Sequence, residues 1–294
     1  MSELPATEAL DPATAGIDRL DEVALARLLI ETQRVAVDAA LGAAEHVARA
    51  IVEVAGALER GGRVVLVGAG TSGRLAVLDA AELYPTFGLD PASVEGRIAG
   101  GDAALRCAVE GAEDDALAGT HVVDDVGSGD VVIGISAGGG APFVCAALAA
   151  AHGRGARTIA IVNTQDAPLS READVAIVAA TGSEPIQGST RMRAGTAQKI
   201  VLNAISTGAM VRLGKTYGNR MVDLVATNAK LRARSERLVH DLAGDADPRA
   251  LLAAAGGAVK TAVVMARLGV ERAEAERLLR DAGGRLATVI GAPS

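Results

Sequence analysis

Val64-Val65-Leu66-Val67 runs directly into Gly68-Ala69-Gly70-Thr71-Ser72-Gly73-Arg74, and the stretch that follows, Leu75 to Leu83, contains neither Gly nor Pro. Four consecutive apolar residues, three of them β-branched, describe a strand buried on both faces, and the residues after the glycines predict a helix over 73–83. Strand, glycine-rich turn and helix in that order form the opening unit of a parallel α/β sheet. Such a turn aims the unpaired N–H groups of the helix's first turn, here with two hydroxyls, at one point where the helix dipole is positive. An anion belongs there. No lysine stands where a Walker loop needs one, and no acidic residue is poised about 20 residues on to hold a ribose, Glu95 lying in a different pattern. The remaining reading is a phosphomonoester on a small molecule, held by N–H and O–H donors without a metal.

Outward from this unit the pattern repeats. Val94 to Ile98, Val131 to Ile135, Thr158 to Val162 and Val175 to Val178 are short strand candidates, separated by helices over 73–83, 102–110 and 142–152. Five strands alternating with helices predict a doubly wound, mainly parallel sheet. Residues 20–59 carry apolar positions at helical spacing and read as two helices, and Arg193 to Leu213 reads as one long helix. The break Gly244-Asp245-Ala246-Asp247-Pro248 precedes two or three short helices. Three regions follow: a leader with helices over 1–55, the sheet domain over 56–240 and a small helical domain over 241–294.

Two further turns carry hydroxyls. Ser136-Ala137-Gly138-Gly139-Gly140-Ala141-Pro142 ends the strand at Val131 to Ile135, and Gln187-Gly188-Ser189-Thr190-Arg191 opens the long helix. In a doubly wound sheet such turns converge on one crevice at the carboxyl edge, so Gly70, Thr71, Ser72, Ser136, Gly138, Ser189 and Thr190 are the candidate phosphate-binding residues. Two carboxylate sites accompany them. Glu82 sits at the end of the first helix, where the dipole disfavours it, just before Pro85 is expected to stop that helix. Glu110-Gly111-Ala112-Glu113-Asp114-Asp115 closes another helix and, taken alone, reads as a solvated turn.

Composition narrows the partners. A formal charge of −7 with two Phe, two Tyr and no Trp opposes nucleic acid, which wants clustered cations and stacking rings. No run approaches the ~18 apolar residues of a membrane span, and Met1 to Asp18 carries acids and Pro rather than the basic and apolar segments of a signal peptide. Cys107 and Cys145 are too few and too far apart for a disulfide framework and read as packing residues in a reducing cytoplasm. His46, His121, His152 and His240 share no metal-ligand spacing.

Several blocks resemble the N-acetylmuramic acid 6-phosphate etherases of the sugar isomerase (SIS) superfamily. They are Gly68 to Leu75 with Val77 to Glu82, Pro85 to Gly88, Ile98 to Gly101 with Glu110 to Asp114, and Gly188 to Met192 leading to Ala194 to Lys199. Lys215 to Asn219 and Met221 to Leu231 extend the likeness over nearly the whole chain. The resemblance implies an SIS-type sheet and a lyase that removes the D-lactyl ether of a cell-wall sugar phosphate, giving N-acetylglucosamine 6-phosphate and D-lactate without metal or redox cofactor. It implies Glu82 as proton donor and Glu113 as the second catalytic glutamate. A base takes the C2 proton, an acid protonates the departing ether oxygen at C3, and water adds to the product; the apolar neighbours of Glu82 suggest burial that raises the acid's pKa. Glu82 lies ten residues beyond Ser72, roughly 15 Å along a helix, which is farther than a hexose 6-phosphate reaches. Either the helix does not run straight or, the favoured reading, Glu82 serves the site of a neighbouring subunit in a homodimer. The chain departs from the family at Gly138-Gly139-Gly140-Ala141, where Ser-Gly-Arg-Thr is usual, at Gln187 and at Asp11. The frame Ile135-Ser136-x-Gly138-x-x-Ala141-Pro142-Phe143 instead resembles the related glucokinase regulatory protein, in which Ser136 would match a phosphate-contacting serine. A sugar-phosphate isomerase and a non-catalytic phosphosugar sensor are the alternatives within this superfamily.

Overall fold

The structure, a computed structural model, describes residues 5–244 and 246–293; Met1 to Leu4 of the leader and Asp245 of the break lie outside the described residues. The chain divides into two compact units, Met1–Ala81 with Ala92–Ser206, and Glu82–Pro91 with Thr207–Ser294.

In the first unit, α1 (Glu22–Glu31), α2 (Arg34–Gly42) and α3 (Ala44–Glu59) lead into β1 (Val64–Gly68) and α4 (Gly70–Phe87), which continues into the second unit. Then come β2 (Val94–Ile98), α5 (Ala103–Arg106), α6 (Ala116–His121), β3 (Val131–Ser136), α7 (Pro142–Gly153), β4 (Arg157–Val162), α8 (Pro168–Arg171), β5 (Val175–Val178) and α9 (Arg193–Arg212). The sheet order is β2-β1-β3-β4-β5 with every neighbouring pair parallel, and Val64 is in register with Val94 on one side and Val131 on the other. The winding reverses between β1 and β3. At such a switch point the loops leaving the carboxyl ends diverge and open a crevice.

Both faces of the sheet are covered, which is why the central strands are apolar throughout. Val65, Val67, Val132, Ala160 and Val162 share one core cluster with Val144, Ala147 and Leu148 of α7. Side chains alternate along a strand, so the equally buried Val64, Leu66, Ile133, Ile135, Ile159 and Ile161 face the opposite side. There α3 packs on β1, β3 and β5.

The second unit holds the hairpin β6 (Thr216–Tyr217) and β7 (Arg220–Met221), then α10 (Ala229–Ala243), α11 (Pro248–Ala254), α12 (Val259–Leu268), α13 (Arg272–Asp281) and α14 (Leu286–Ile290). Tyr217, Val222, Leu238, Val239, Val263 and Leu286 meet in its core. The charged stretch Lys230 to Arg237 is mostly the outer face of α10, whose Leu238, Val239 and Leu242 close the same core as α12.

Several local expectations change. Residues 20–59 form three helices rather than two, because Thr32-Gln33 and Ala43 interrupt the run. Pro85 does not stop α4, which continues to Phe87: proline costs an interior helix its i→i−4 bond, but here it falls in the last turn, where the Gly88 N–H still reaches the Tyr84 carbonyl at 2.9 Å. The helix expected over 102–110 ends at Arg106, since Cys107 is extended. Cys107 is exposed rather than packed, and Cys145 is half-buried.

Asp130 ties the amino ends of the central strands together. Its carboxylate accepts the Arg63 N–H at 2.7 Å, the Gly127 N–H at 3.1 Å and the Arg63 guanidinium at 3.2 Å. Burial pulls its pKa up, but the Arg63 and Gly127 N–H groups and the Arg63 guanidinium outweigh that and leave it below the usual carboxylate value. A lowered native pKa means stability fully present above the unfolded value near about pH 4 and lost as the pH falls through the native one. Asp130→Ala should cost about 1–3 kcal/mol at pH 7. Urea melts should show the gap from the parent protein narrowing below about pH 4.

Candidate active site

The three glycines of the first turn answer three different needs. A Cβ on Gly68 would meet the Gly73 nitrogen at 2.6 Å, and one on Gly73 would meet Ile98 Cγ1 at 2.5 Å and the Gly68 carbonyl oxygen at 2.7 Å. Gly70 has nothing near it but holds φ at +53°, a left-handed value that disfavours side chains. The Gly73 N–H closes the first turn of α4 on the Ala69 carbonyl at 3.2 Å, leaving the N–H groups of Gly70, Thr71 and Ser72 without a backbone partner among the described residues. They form a cradle at the carboxyl end of β1.

Ser72 is buried, and its hydroxyl donates to Gln198 Oε1 at 2.8 Å. Gln198 Nε2 donates to Asn163 Oδ1 at 2.9 Å, and Asn163 Nδ2 donates to the Ala179 carbonyl at 2.9 Å. The Asn163 N–H in turn holds the Ala137 carbonyl at 2.9 Å. This buried relay joins the ends of β1, β3, β4 and β5 to α9. Ser72 thus spends its hydroxyl proton on the scaffold and offers its N–H to the cradle.

The second loop turns on Ser136, whose Oγ accepts the Gly139 N–H at 3.1 Å and keeps its own proton free to donate. Gly139 has φ +68°, and a Cβ there would strike Ala167 at 2.4 Å. The third turn is held by Glu184, fully buried, whose two carboxylate oxygens accept the N–H groups of Arg193 at 2.8 Å and Ala194 at 2.9 Å. Burial pushes this carboxyl up, partly offset by the Ala194 and Arg193 N–H groups. The start of α9 is therefore already capped by a carboxylate, which leaves the α4 terminus as the unoccupied positive helix end at these turns. The Arg193 guanidinium reaches the Thr32 and Ser183 carbonyls at 3.1 and 2.6 Å and pairs with Asp11 at 2.9 Å. Asp11 also accepts the Ala13 N–H at 3.0 Å. The departure at Asp11 thus keeps a capping acceptor and adds an ion pair.

These turns enclose a cavity of about 470 Å³ at the switch point. Gly70, Thr71, Ser72, Ser136, Gly138, Thr190 and Glu113 all line it. Ser189 and Glu82 are not among its lining residues. Glu82 is exposed on α4, not buried as its apolar neighbours suggested: the helix turns Leu83 inward and Glu82 outward. The acidic cluster divides by task. Asp115 caps α6 by accepting the Ala118 N–H at 2.9 Å, while Glu113 and Asp114 face the cavity. Glu113 also borders a smaller hollow of about 200 Å³ with Glu110 and Arg74.

Sequence reasoning missed the leader's part in the site. Pro5, Thr7 and Glu8 line the cavity, Thr7 is buried, and Gln187 Nε2 donates to the Glu8 carbonyl at 2.9 Å. Short polar segments before a first helix carry no periodic signal. Glu184, Asn163 and Gln198 were also missed; a polar residue closing an apolar run, as in Ile161-Val162-Asn163, is the signal that would have found Asn163. No Lys or Arg lines the cavity among the described residues, so the donors it presents are N–H and hydroxyl groups.

Comparison with known proteins gives this arrangement its family. The chain is 48% identical to an N-acetylmuramic acid 6-phosphate etherase of Deinococcus radiodurans, the match spanning 99% of this chain and 97% of that one. The chain belongs to the N-acetylmuramic acid 6-phosphate etherase family. A Mycolicibacterium smegmatis etherase is 44% identical over 97% of each chain. The SIS domain family matches residues 105–207, and the glucokinase regulatory protein N-terminal SIS domain matches residues 46–152. Among solved structures, the phosphoheptose isomerase GmhA from Neisseria gonorrhoeae is similar, with a TM-score of 0.49 and 19% identity over 64% of this chain and 97% of that one. The SIS family match and the sheet order agree on a five-stranded parallel sheet, with the glycine turns at its switch point.

The buried relay gives a direct test of how the cradle is held. Gln198→Leu removes the acceptor of Ser72 and the donor to Asn163 together, and is expected to destabilise the protein by about 1–3 kcal/mol. Thermal unfolding should show a Tm lower by several degrees.

Proposed function

We propose that this chain cleaves the D-lactyl ether of N-acetylmuramic acid 6-phosphate with water, releasing D-lactate and N-acetylglucosamine 6-phosphate. The observation that carries this reading is near-full-length identity to etherases together with one cavity that joins three hydroxyl-bearing turns to Glu113. The phosphate sits on the N–H groups of Gly70, Thr71 and Ser72 and takes hydroxyl donors from Thr71, Ser136 and Thr190. Backbone donors supply what the glycines at 138 to 140 omit in side chains. With the sugar open, the C1 aldehyde acidifies C2. Glu113, at the cavity wall, takes that proton; the C3 ether oxygen leaves as it is protonated, and water then adds to the unsaturated aldehyde.

The acid in this scheme is Glu82, contributed by a second copy of the chain. Three features support a shared site. Glu82 stands about 15 Å along α4 from Ser72, and it is not among the residues lining the cavity. No cation lines the cavity among the described residues, although the substrate carries a phosphate and a carboxylate. And α1 buries no residue of its own, leaving Val23 72% and Ile30 73% exposed, with Val37, Leu41 and Val52 also exposed on the next two helices. An apolar surface of this kind is what a homodimer covers. No single described helix is long and apolar enough to cross a membrane; a phosphorylated sugar substrate supports a cytoplasmic reaction.

Purified protein given N-acetylmuramic acid 6-phosphate should release D-lactate in step with N-acetylglucosamine 6-phosphate; a ketose phosphate without lactate would sink the assignment in favour of an isomerase. Glu113→Gln and Glu82→Gln should each lower kcat by about 10²–10⁴-fold. Unfolding and refolding a one-to-one mixture of Glu82→Ala and Glu113→Ala should restore about a quarter of parental activity if each site draws on two subunits. A mixture as inactive as its parts would place both glutamates in one chain.

A further inference from the structure

The second unit contains a cavity of its own, about 690 Å³, that the etherase reaction does not use. Every residue lining it belongs to Phe87–Gly88 or to the chain from Lys215 onward. Its floor is the start of α12. Ala258 caps that helix without a side-chain acceptor, and the Ala262 N–H closes the first turn on the Ala258 carbonyl at 3.0 Å. The N–H groups of Val259, Lys260 and Thr261 are left with no backbone partner among the described residues. All three residues line the cavity.

Side chains around this floor point to the same ligand. Thr261 is only 5% exposed, yet its hydroxyl makes no hydrogen bond among the described residues. Thr261 lines the cavity, so a hydroxyl with no protein partner there has a proton to give to a bound acceptor. Lys215, Lys260 and Arg280 line the same space against a single carboxylate, Asp223, giving the wall a surplus of two positive charges. Asp223 Oδ2 accepts from Lys260 Nζ at 2.7 Å and lies 3.3 Å from Lys215 Nζ. Lys260 spends a second proton on the Gly284 carbonyl at 2.7 Å, leaving its third uncommitted. Burial pulls the Lys260 ammonium down, with Asp223 opposing it; a further anion would favour its charged form.

We propose that this cavity is a second anion site, separate from the etherase site, that holds the phosphate group of a small phosphorylated metabolite on the α12 N–H groups, Thr261 and the surrounding cations. Unpaired N–H groups, a hydroxyl and three cationic side chains match an anion with several acceptor oxygens better than a carboxylate with two. The volume leaves room for an organic body beyond the phosphate. This assignment does not depend on the reaction proposed for the first unit.

Amide-resolved NMR of the full chain titrated with inorganic phosphate separates the two cavities. The amides of Val259, Lys260 and Thr261 should shift saturably, and in the double variant Thr261→Val, Arg280→Gln their apparent Kd should weaken by at least about tenfold. Shifts at Thr71 and Ser72 should persist in that variant, showing that it remains folded. Glucose 6-phosphate should reproduce the shifts at Val259 to Thr261, and glucose should not. Absence of saturable shifts at these amides, an unchanged Kd in the double variant, or equal shifts with glucose would each overturn the proposal.

Discussion

The contact between the backbone of Gly68 and the backbone of Gly73 is the constraint on which the proposed etherase site depends. Two chain segments approach so closely that a Cβ on either would fall within 2.7 Å of the other. That approach seats the first turn of α4 directly on the end of β1. The unpaired N–H groups of the helix then lie at the carboxyl edge of the sheet, at the switch point between β1 and β3. A side chain at either position would lift the helix, and the cradle would lose its place relative to Ser136 and Thr190.

The rest of the scaffold serves to keep three turns at that point. Hydrophobic burial stabilises the sheet but is indifferent to direction, so it does not by itself fix a loop to within an ångström. Directional bonds do this. The relay from Ser72 through Gln198 to Asn163 links the cradle to the ends of three other strands, and Glu184 clamps the start of α9. Each of these groups is buried, and each has its partners, which is the condition under which buried polarity adds order instead of cost. Glu184 has a further electrostatic effect. By occupying the positive end of α9 with a carboxylate, it leaves the α4 terminus as the open positive helix end at the proposed site.

Much of the fold was legible because its signals are local. All five strands of the sheet were expected within a residue or so of where they lie, since unbroken β-branched runs between turns have one low-energy use. The hydroxyl turns were legible as well, because glycine and serine after a strand mark a tight exit. The missed features depend on residues distant in sequence. Asp11 meets Arg193, Gln187 meets Glu8, and Ser72 meets Gln198 across 126 positions. The N-terminal leader gave no hint that Thr7 and Glu8 would line the cavity, because a short irregular segment acquires its place from the surface that receives it. Glu82 shows the converse. Its apolar neighbours suggested burial, but helical rotation assigns each position a direction, and Glu82 points outward.

By itself, then, the sequence determined the class of fold, the order of its strands along the chain, the chemistry of the first turn and the family. Those follow from periodicity, glycine placement and residue type, which are properties of neighbours in the chain. The tertiary structure decided which hydroxyls keep a proton to give, that Ser72 spends its own on Gln198, that the leader lines the cavity and that Glu82 is not among its lining residues. It also decided where the compact units divide. These depend on which surfaces meet once the chain has closed, and a hydrogen bond between distant residues leaves no trace in the local pattern of either one.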